Sequence, residues 1–168
     1  LDLQKHLFHA VSAGADYLTM EVSSQALKYG RVIGVELTCA VFLNIGEDHI
    51  SPVEHHNLED YLHSKLLIFK QAKNACISLD CDHVEQVRAA AEQCPRVVTF
   101  SQKFPSADVY GTNVRKEGDK IAFHVRTPRY EGELAISTPG LFNVENALAA
   151  VAAAEVYDIP QAAVAEGL

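Results

Sequence analysis

Along residues 57–70 apolar side chains recur at helical spacing, so that Leu58, Tyr61, Leu62 and Phe69 share one stripe, and Lys65 lies on the same stripe. Asn57, three residues ahead of Asp60, reads as the N-cap that fixes where this helix starts. Upstream, residues 35–44 form an apolar run of the length and β-branched or aromatic content of a buried strand, which Gly46 ends. Residues 17–22 read as an earlier strand, and a short helical stretch to Gly30 joins the two into a βαβ unit with parallel strands and a right-handed crossover. Residues 75–79 predict a strand, 82–93 a helix and 96–100 another strand. After Pro105 the period changes to two: strands over 108–115, 120–127 and 131–137, separated by Glu117-Gly-Asp and Pro128-Arg-Tyr, form an antiparallel meander. Residues 1–13, 147–163 (alanine-rich packing surface) and 159–168 read as helical. The fold class is α/β: a mostly parallel sheet flanked by helices over residues 1–104, a small antiparallel β subdomain over 105–139 and a helical part over 140–168.

Lys65 is the position that breaks the pattern. An ammonium buried without a partner costs several kcal/mol, so this lysine needs a counter-charge, an escape of its tip to water, or a chemical change. In open α/β sheets ligands bind beyond the carboxyl ends of the strands. Glu21, Ser23 and Ser24 follow the first predicted strand, and Asp48 and His49 follow the second, so with the Lys65 helix they can line one crevice. Carboxylates with one imidazole suit Mg²⁺ or Mn²⁺ beside a phosphate. Singly, Glu21 also fits an acid paired to an arginine, and His49 a satisfied loop histidine.

Five ordered motifs carry a resemblance: Met20-Glu-Val-Ser-Ser-Gln-Ala-Leu27, Gly30-Arg31-Val32, Asn44-Ile-Gly-Glu-Asp-His49, Ser64-Lys65 with Phe69, and Gly140-Leu-Phe-Asn-Val-Glu-Asn-Ala-Leu-Ala-Ala150. Together they resemble the central, P-loop NTPase-like, ATP-binding domain of the Mur ligases, and most of all the MurE type. That type adds the third amino acid to UDP-N-acetylmuramoyl-dipeptide in peptidoglycan synthesis. The resemblance implies that Lys65 is carbamylated by CO₂ and helps position a second Mg²⁺, while Glu21 and His49 hold Mg²⁺ near the γ-phosphate of ATP, with Asp48 orienting the imidazole. It implies that Ser23 and Arg31 contact the UDP-muramoyl-peptide and that Asn143 and Asn146 stand at the adenine side of the ATP pocket. From spacing alone Asn143 also reads as a helix N-cap. Gln25 departs from the family, standing where many MurE-type sequences have histidine.

The chain has no Gly-x-x-x-x-Gly-Lys-Ser/Thr motif. The resemblance places the phosphate loop and a first domain upstream of Leu1 and a third domain, which selects the amino acid, after Leu168. The sequence therefore reads as an excised central domain that does not catalyse the ligation alone. A net charge of −8, with pI near 5.4, and the lack of long basic runs argue against nucleic-acid or anionic-membrane partners. The cysteines, at 39, 76, 81 and 94, lack metal spacing and read as free thiols of a cytoplasmic protein. Two other classes fit parts of the chain: a metal-dependent hydrolase using Asp48, His49, His55 and His56, in which the last two otherwise read as solvated loop histidines, and a Mur-like ligase acting on folate or a polyamino acid.

Overall fold

The computed structural model describes residues 2–46, 50–51 and 54–168. Helices α1 (Asp2–Ser12) and α2 (Ser24–Lys28) precede strand β1 (Leu37–Phe42); α3 (Leu58–Leu66) and a 3-10 turn (Leu67–Gln71) lead into β2 (Ala72–Ser78). Then follow α4 (Val84–Ala91), β3 (Arg96–Ser101), β4 (Val109–Glu117), β5 (Lys120–Arg126), β6 (Glu131–Ile136), α5 (Asn143–Val156) and α6 (Gln161–Gly167). The strands form one six-stranded sheet in chain order. β1–β2, β2–β3 and β3–β4 pair in parallel, whereas β4–β5 and β5–β6 pair antiparallel. The expected meander is therefore present, attached to the parallel strands through the β3–β4 pairing. The hinge between the two regimes is the β3–β4 ladder, which pairs only Phe100 with Val109 and Ser101 with Tyr110. Asp108 fastens it, its carboxylate accepting from both the backbone N–H and the hydroxyl of Thr99 at 2.8 and 2.7 Å.

Alternation along the strands divides the core into two layers. On one face Val98, Phe100, Val109, Phe123 and Val125 meet Val144, Leu148 and Val151 of α5. On the other, Ala40, Phe42, Ala75 and Ile77 meet Tyr61, Leu62 and Phe69, together with Val87 and Ala91 of α4. The helical stripe predicted over residues 57–70 is real, and Asn57 caps it, its side chain accepting from the Asp60 N–H at 2.8 Å. At the far end of α5 the buried Glu155 carboxylate accepts from Arg129 Nε at 2.8 Å, tying the helix to the β5–β6 turn.

Two expectations fail here. Residues 17–22 form no strand; Tyr17 and Leu18 are exposed, and the Tyr17 ring packs edge-on against Tyr157 at 5.6 Å. A strand needs a neighbouring edge to satisfy its amides, and among the described residues β1 pairs with β2 alone. The predicted βαβ unit is replaced by one that runs β1, α3, β2. The alanine-rich helix is also shorter than residues 147–163, because Asp158 adopts φ 54° and Pro160 cannot continue the ladder, so α5 and α6 are separate.

The closeness of α5 to β4 rests on Gly111. A Cβ built there lies 2.8, 2.9 and 3.2 Å from three carbons of the fully buried Leu148. Gly111→Ala is expected to destabilise the fold by about 1–3 kcal/mol through overpacking, read as a lower urea midpoint; Gly118→Ala, in an open turn, serves as the comparison for backbone strain alone. An unchanged midpoint for Gly111→Ala contradicts this packing.

Candidate active site

The site is organised around the carboxyl end of β1. Lys65 Nζ donates to the Asn44 carbonyl at 2.8 Å and to Tyr61 Oη at 3.5 Å. The ammonium lies 5.5 Å from the Phe42 ring centroid and 5.3 Å from that of Tyr61, so two aromatic faces flank it. The lysine therefore does not snorkel away from the sheet; its tip is drawn to the strand end. Asn44 does further work through its side chain. Its side-chain oxygen accepts from the N–H groups of Ile45 and Asp82 at 2.8 and 3.2 Å, joining the end of β1 to the turn after β2.

Helix α2 packs on α3 through a buried polar knot. Ser24 Oγ and His55 Nε2 are 2.8 Å apart, both residues buried, and the His55 ring lies 4.9 Å from that of Tyr61. Lys28 Nζ donates to the Asp60 carboxylate at 2.6 Å and to the Glu54 carbonyl at 3.2 Å, while the His56 N–H reaches the same Asp60 oxygen at 3.1 Å. His55 is 1% exposed, so its reading as a solvated loop histidine is overturned. The reason is pairing: Ser24, thirty-one positions away in the chain, meets one of its ring nitrogens, Nε2. His56 is exposed. Among the described residues no group of three or more His, Cys, Asp and Glu side chains is arranged to hold a metal.

The remaining site residues fall into two sets. Ser23 is the N-cap of α2, its hydroxyl accepting from the Ala26 N–H at 3.1 Å. Gly30, at φ 65°, ends α2 with its N–H on Leu27 O and the Arg31 N–H on Ala26 O, the paired bonds of a Schellman closure. That closure leaves Arg31 exposed, 5.7 Å over the Tyr29 ring, and Glu21 is exposed just ahead of α2. Asn143 and Asn146 form the second set. Asn143 is not an N-cap: α5 begins at Asn143 itself after Phe142, and the Asn143 side chain donates to Pro139 O at 2.7 Å while its oxygen accepts from Asn146 at 3.1 Å. The backbone of 140–142, with Gly140 at φ 102°, already supplies the turn that a capping side chain would otherwise make. Glu145, between the two asparagines, accepts from Ser78 at the end of β2 at 3.2 Å, so the first turn of α5 stands at the carboxyl ends of the parallel strands. Asp48 and His49 lie outside the described residues.

The knot sets a pH signature. The Lys28 hydrogen bond, followed by the His56 N–H, holds the Asp60 carboxyl down at about 2, against 3.8 for an ordinary aspartate. A depressed folded value means that the stabilisation is complete above the unfolded value and is lost as pH falls from about 4 towards 2. Asp60→Asn is expected to be less stable than the parent at neutral pH, with the gap in denaturant midpoint closing across that window. A gap independent of pH contradicts the assignment.

With this geometry in place, comparison with known proteins gives a consistent answer. Residues 1–154 match the model of the Mur ligase middle domain. UDP-N-acetylmuramyl-tripeptide synthetase of Bifidobacterium longum is 37% identical over 166 residues, covering 95% of this chain and 32% of that protein. The UDP-N-acetylmuramoyl-L-alanyl-D-glutamate–L-lysine ligase of Streptococcus mutans is 33% identical over 168 residues, covering 100% and 33% respectively. A solved structure of a UDP-N-acetylmuramoyl-L-alanyl-D-glutamate–2,6-diaminopimelate ligase superposes with a TM-score of 0.91 at 29% identity, covering 99% of this chain and 34% of that one. The chain thus spans about a third of the length of the curated relatives it matches. With a single sheet of matching topology and a family match over nearly all of its residues, the chain belongs to the Mur ligase family, and residues 1–154 are a Mur ligase middle domain.

Proposed function

We propose that the complete protein is a cytoplasmic ATP-dependent ligase of peptidoglycan precursor synthesis that adds an amino acid to UDP-N-acetylmuramoyl-dipeptide. The observation that carries the reading is the Lys65 tip, held against Asn44 O at the carboxyl end of β1, in a chain whose relatives are named as ligases of UDP-linked muramoyl peptides. The terminal carboxylate of the acceptor attacks the γ-phosphate of ATP, giving an acyl phosphate and ADP. The amine of the incoming amino acid then attacks the acyl carbon, phosphate leaves, and the amine surrenders a proton as the amide forms. The demand on the protein is positioning and neutralisation of phosphate charge.

Glu21 and His49 are assigned to Mg²⁺ beside the γ-phosphate, with Asp48 holding the imidazole through its other nitrogen. Lys65 as it stands is a donor and cannot ligate a cation. Once the ammonium has given one proton to solvent, attack of the neutral amine on CO₂ forms the N–C bond and releases a second proton to solvent; one N–H remains on nitrogen, enough to keep the bond to Asn44 O, and the new carboxylate shares a single negative charge between two oxygens that would suit a second Mg²⁺. Bound Mg²⁺ would supply charge neutralisation of the phosphates. Ser23 and Arg31, at the two ends of α2, are assigned to the UDP-linked acceptor, for which the exposed Arg31 guanidinium offers bidentate pairing. Asn143 and Asn146, at the first turn of α5, are assigned to the adenine of ATP.

In the complete enzyme Lys65→Ala is expected to lower kcat by on the order of a hundred-fold or more, with part of the activity restored by a short carboxylic acid added to the assay. Full activity in Lys65→Ala would overturn the assignment.

A further inference from the structure

Taking Lys65 and Ser23 in the roles just proposed, we infer that His55 is a positioning residue that locks the acceptor-binding helix α2 to the Lys65-bearing helix α3. Three contacts converge on its ring. Nε2 meets the Ser24 hydroxyl at 2.8 Å in a buried pair, Nδ1 faces the Asp60 carboxylate at 3.5 Å, and the ring centroid lies 4.9 Å from that of Tyr61 with the planes tilted by 32°. Among the described residues Nδ1 has no hydrogen-bond partner, and the Ser24 hydroxyl, which can donate or accept, pairs with Nε2 in either tautomer. The consequences reach both halves of the site. Ser24 directly follows the N-cap Ser23, so the bond fixes the start of α2 and with it the exposed Glu21–Ser23 corner. Tyr61, on the other side of the ring, is the residue whose own ring and hydroxyl flank Lys65 Nζ.

Burial makes the lock specific. Ser24 is 8% and His55 1% exposed, so water is a poor substitute for either partner, and loss of one strands the other. Lys28 and Asp60 add a second tie between the helices, with Asp60 reaching the start of α3 through the His56 N–H. That second tie is more open to solvent and contributes less to fixing the geometry. His55 is therefore neither a metal ligand nor a proton carrier in this account.

The test is made in the complete ligase with Ser24→Ala, His55→Asn, His55→Gln and the double variant S24A/H55N. Gln carries a polar atom to the position of Nε2, whereas Asn reaches only that of Nδ1. Ser24→Ala and His55→Asn are each expected to raise KM for the UDP-linked acceptor by on the order of ten-fold, with KM for ATP unchanged. His55→Gln should recover most of that loss, and the double variant should be no worse than the poorer single variant. Additive penalties, equal losses for Gln and Asn, or losses confined to thermal stability would overturn the lock. Ser24→Ala removes one hydroxyl and keeps the test open should His55→Asn fold poorly. Lys65→Ala in the same assay separates the claims: its full activity overturns the underlying site, whereas its inactivity beside unchanged Ser24→Ala and His55→Asn kinetics overturns the lock alone.

Discussion

A lysine on a packed helical stripe has to be given somewhere to put its charge, and the arrangement around the end of β1 follows from how that is done here. α3 lays Tyr61 and Leu62 on the sheet, the 3-10 turn after it adds Phe69, and the helical periodicity carries Lys65 towards the same layer. The Asn44 carbonyl, just past the end of β1, accepts a hydrogen bond from the ammonium, and Phe42 and Tyr61 present π faces beside it. A strand end is one of the few places inside an α/β layer where a backbone carbonyl is left over for such a use. The same strand end is where open α/β sheets bind ligands, so the solution to a packing problem falls at the place the proposed chemistry requires.

Rigidity of that corner comes from polar groups, not from the apolar core. The hydrophobic layers align α3 and α4 on one face and α5 on the other, yet α2 is too short to be held by burial: of its five residues only Ser24 and Leu27 are buried. What holds it is the Ser24–His55 pair and the Lys28–Asp60 ion pair, both reaching back to the start of α3. On the opposite side Ser78 and Glu145 fasten α5 to the end of β2. α3 and α5 thus reach the carboxyl ends of the parallel strands, and α2 is tied to α3, each secured by a polar contact of long sequence separation.

Much of this was legible in the sequence because it was periodic. The stripe over residues 57–70, the Asn57 cap, the central strands and the meander follow from spacing and turn chemistry, and the five motifs placed the chain in its family. What was not legible depended on partners distant in the chain. Residues 17–22 have strand composition but no paired edge. His55 looks solvated from its polar neighbours, and only the fold reveals Ser24 opposite it. Asn143 has the identity of a cap, but the backbone turn at Gly140 takes that place. Asn44 opens one of the five motifs, but its residue type does not reveal that its carbonyl meets the Lys65 ammonium.

The central claim is that Lys65 acts at the end of β1 as a carbamate beside Mg²⁺. A crystal structure of the complete enzyme with Mg²⁺ and a non-hydrolysable ATP analogue tests it most directly. The expected result is a carboxylate group on Lys65 Nζ with an oxygen about 2.0–2.1 Å from a magnesium ion, and Glu21 and His49 coordinating magnesium beside the γ-phosphate. A bare ammonium still donating to Asn44 O, with magnesium held by other residues, would contradict it.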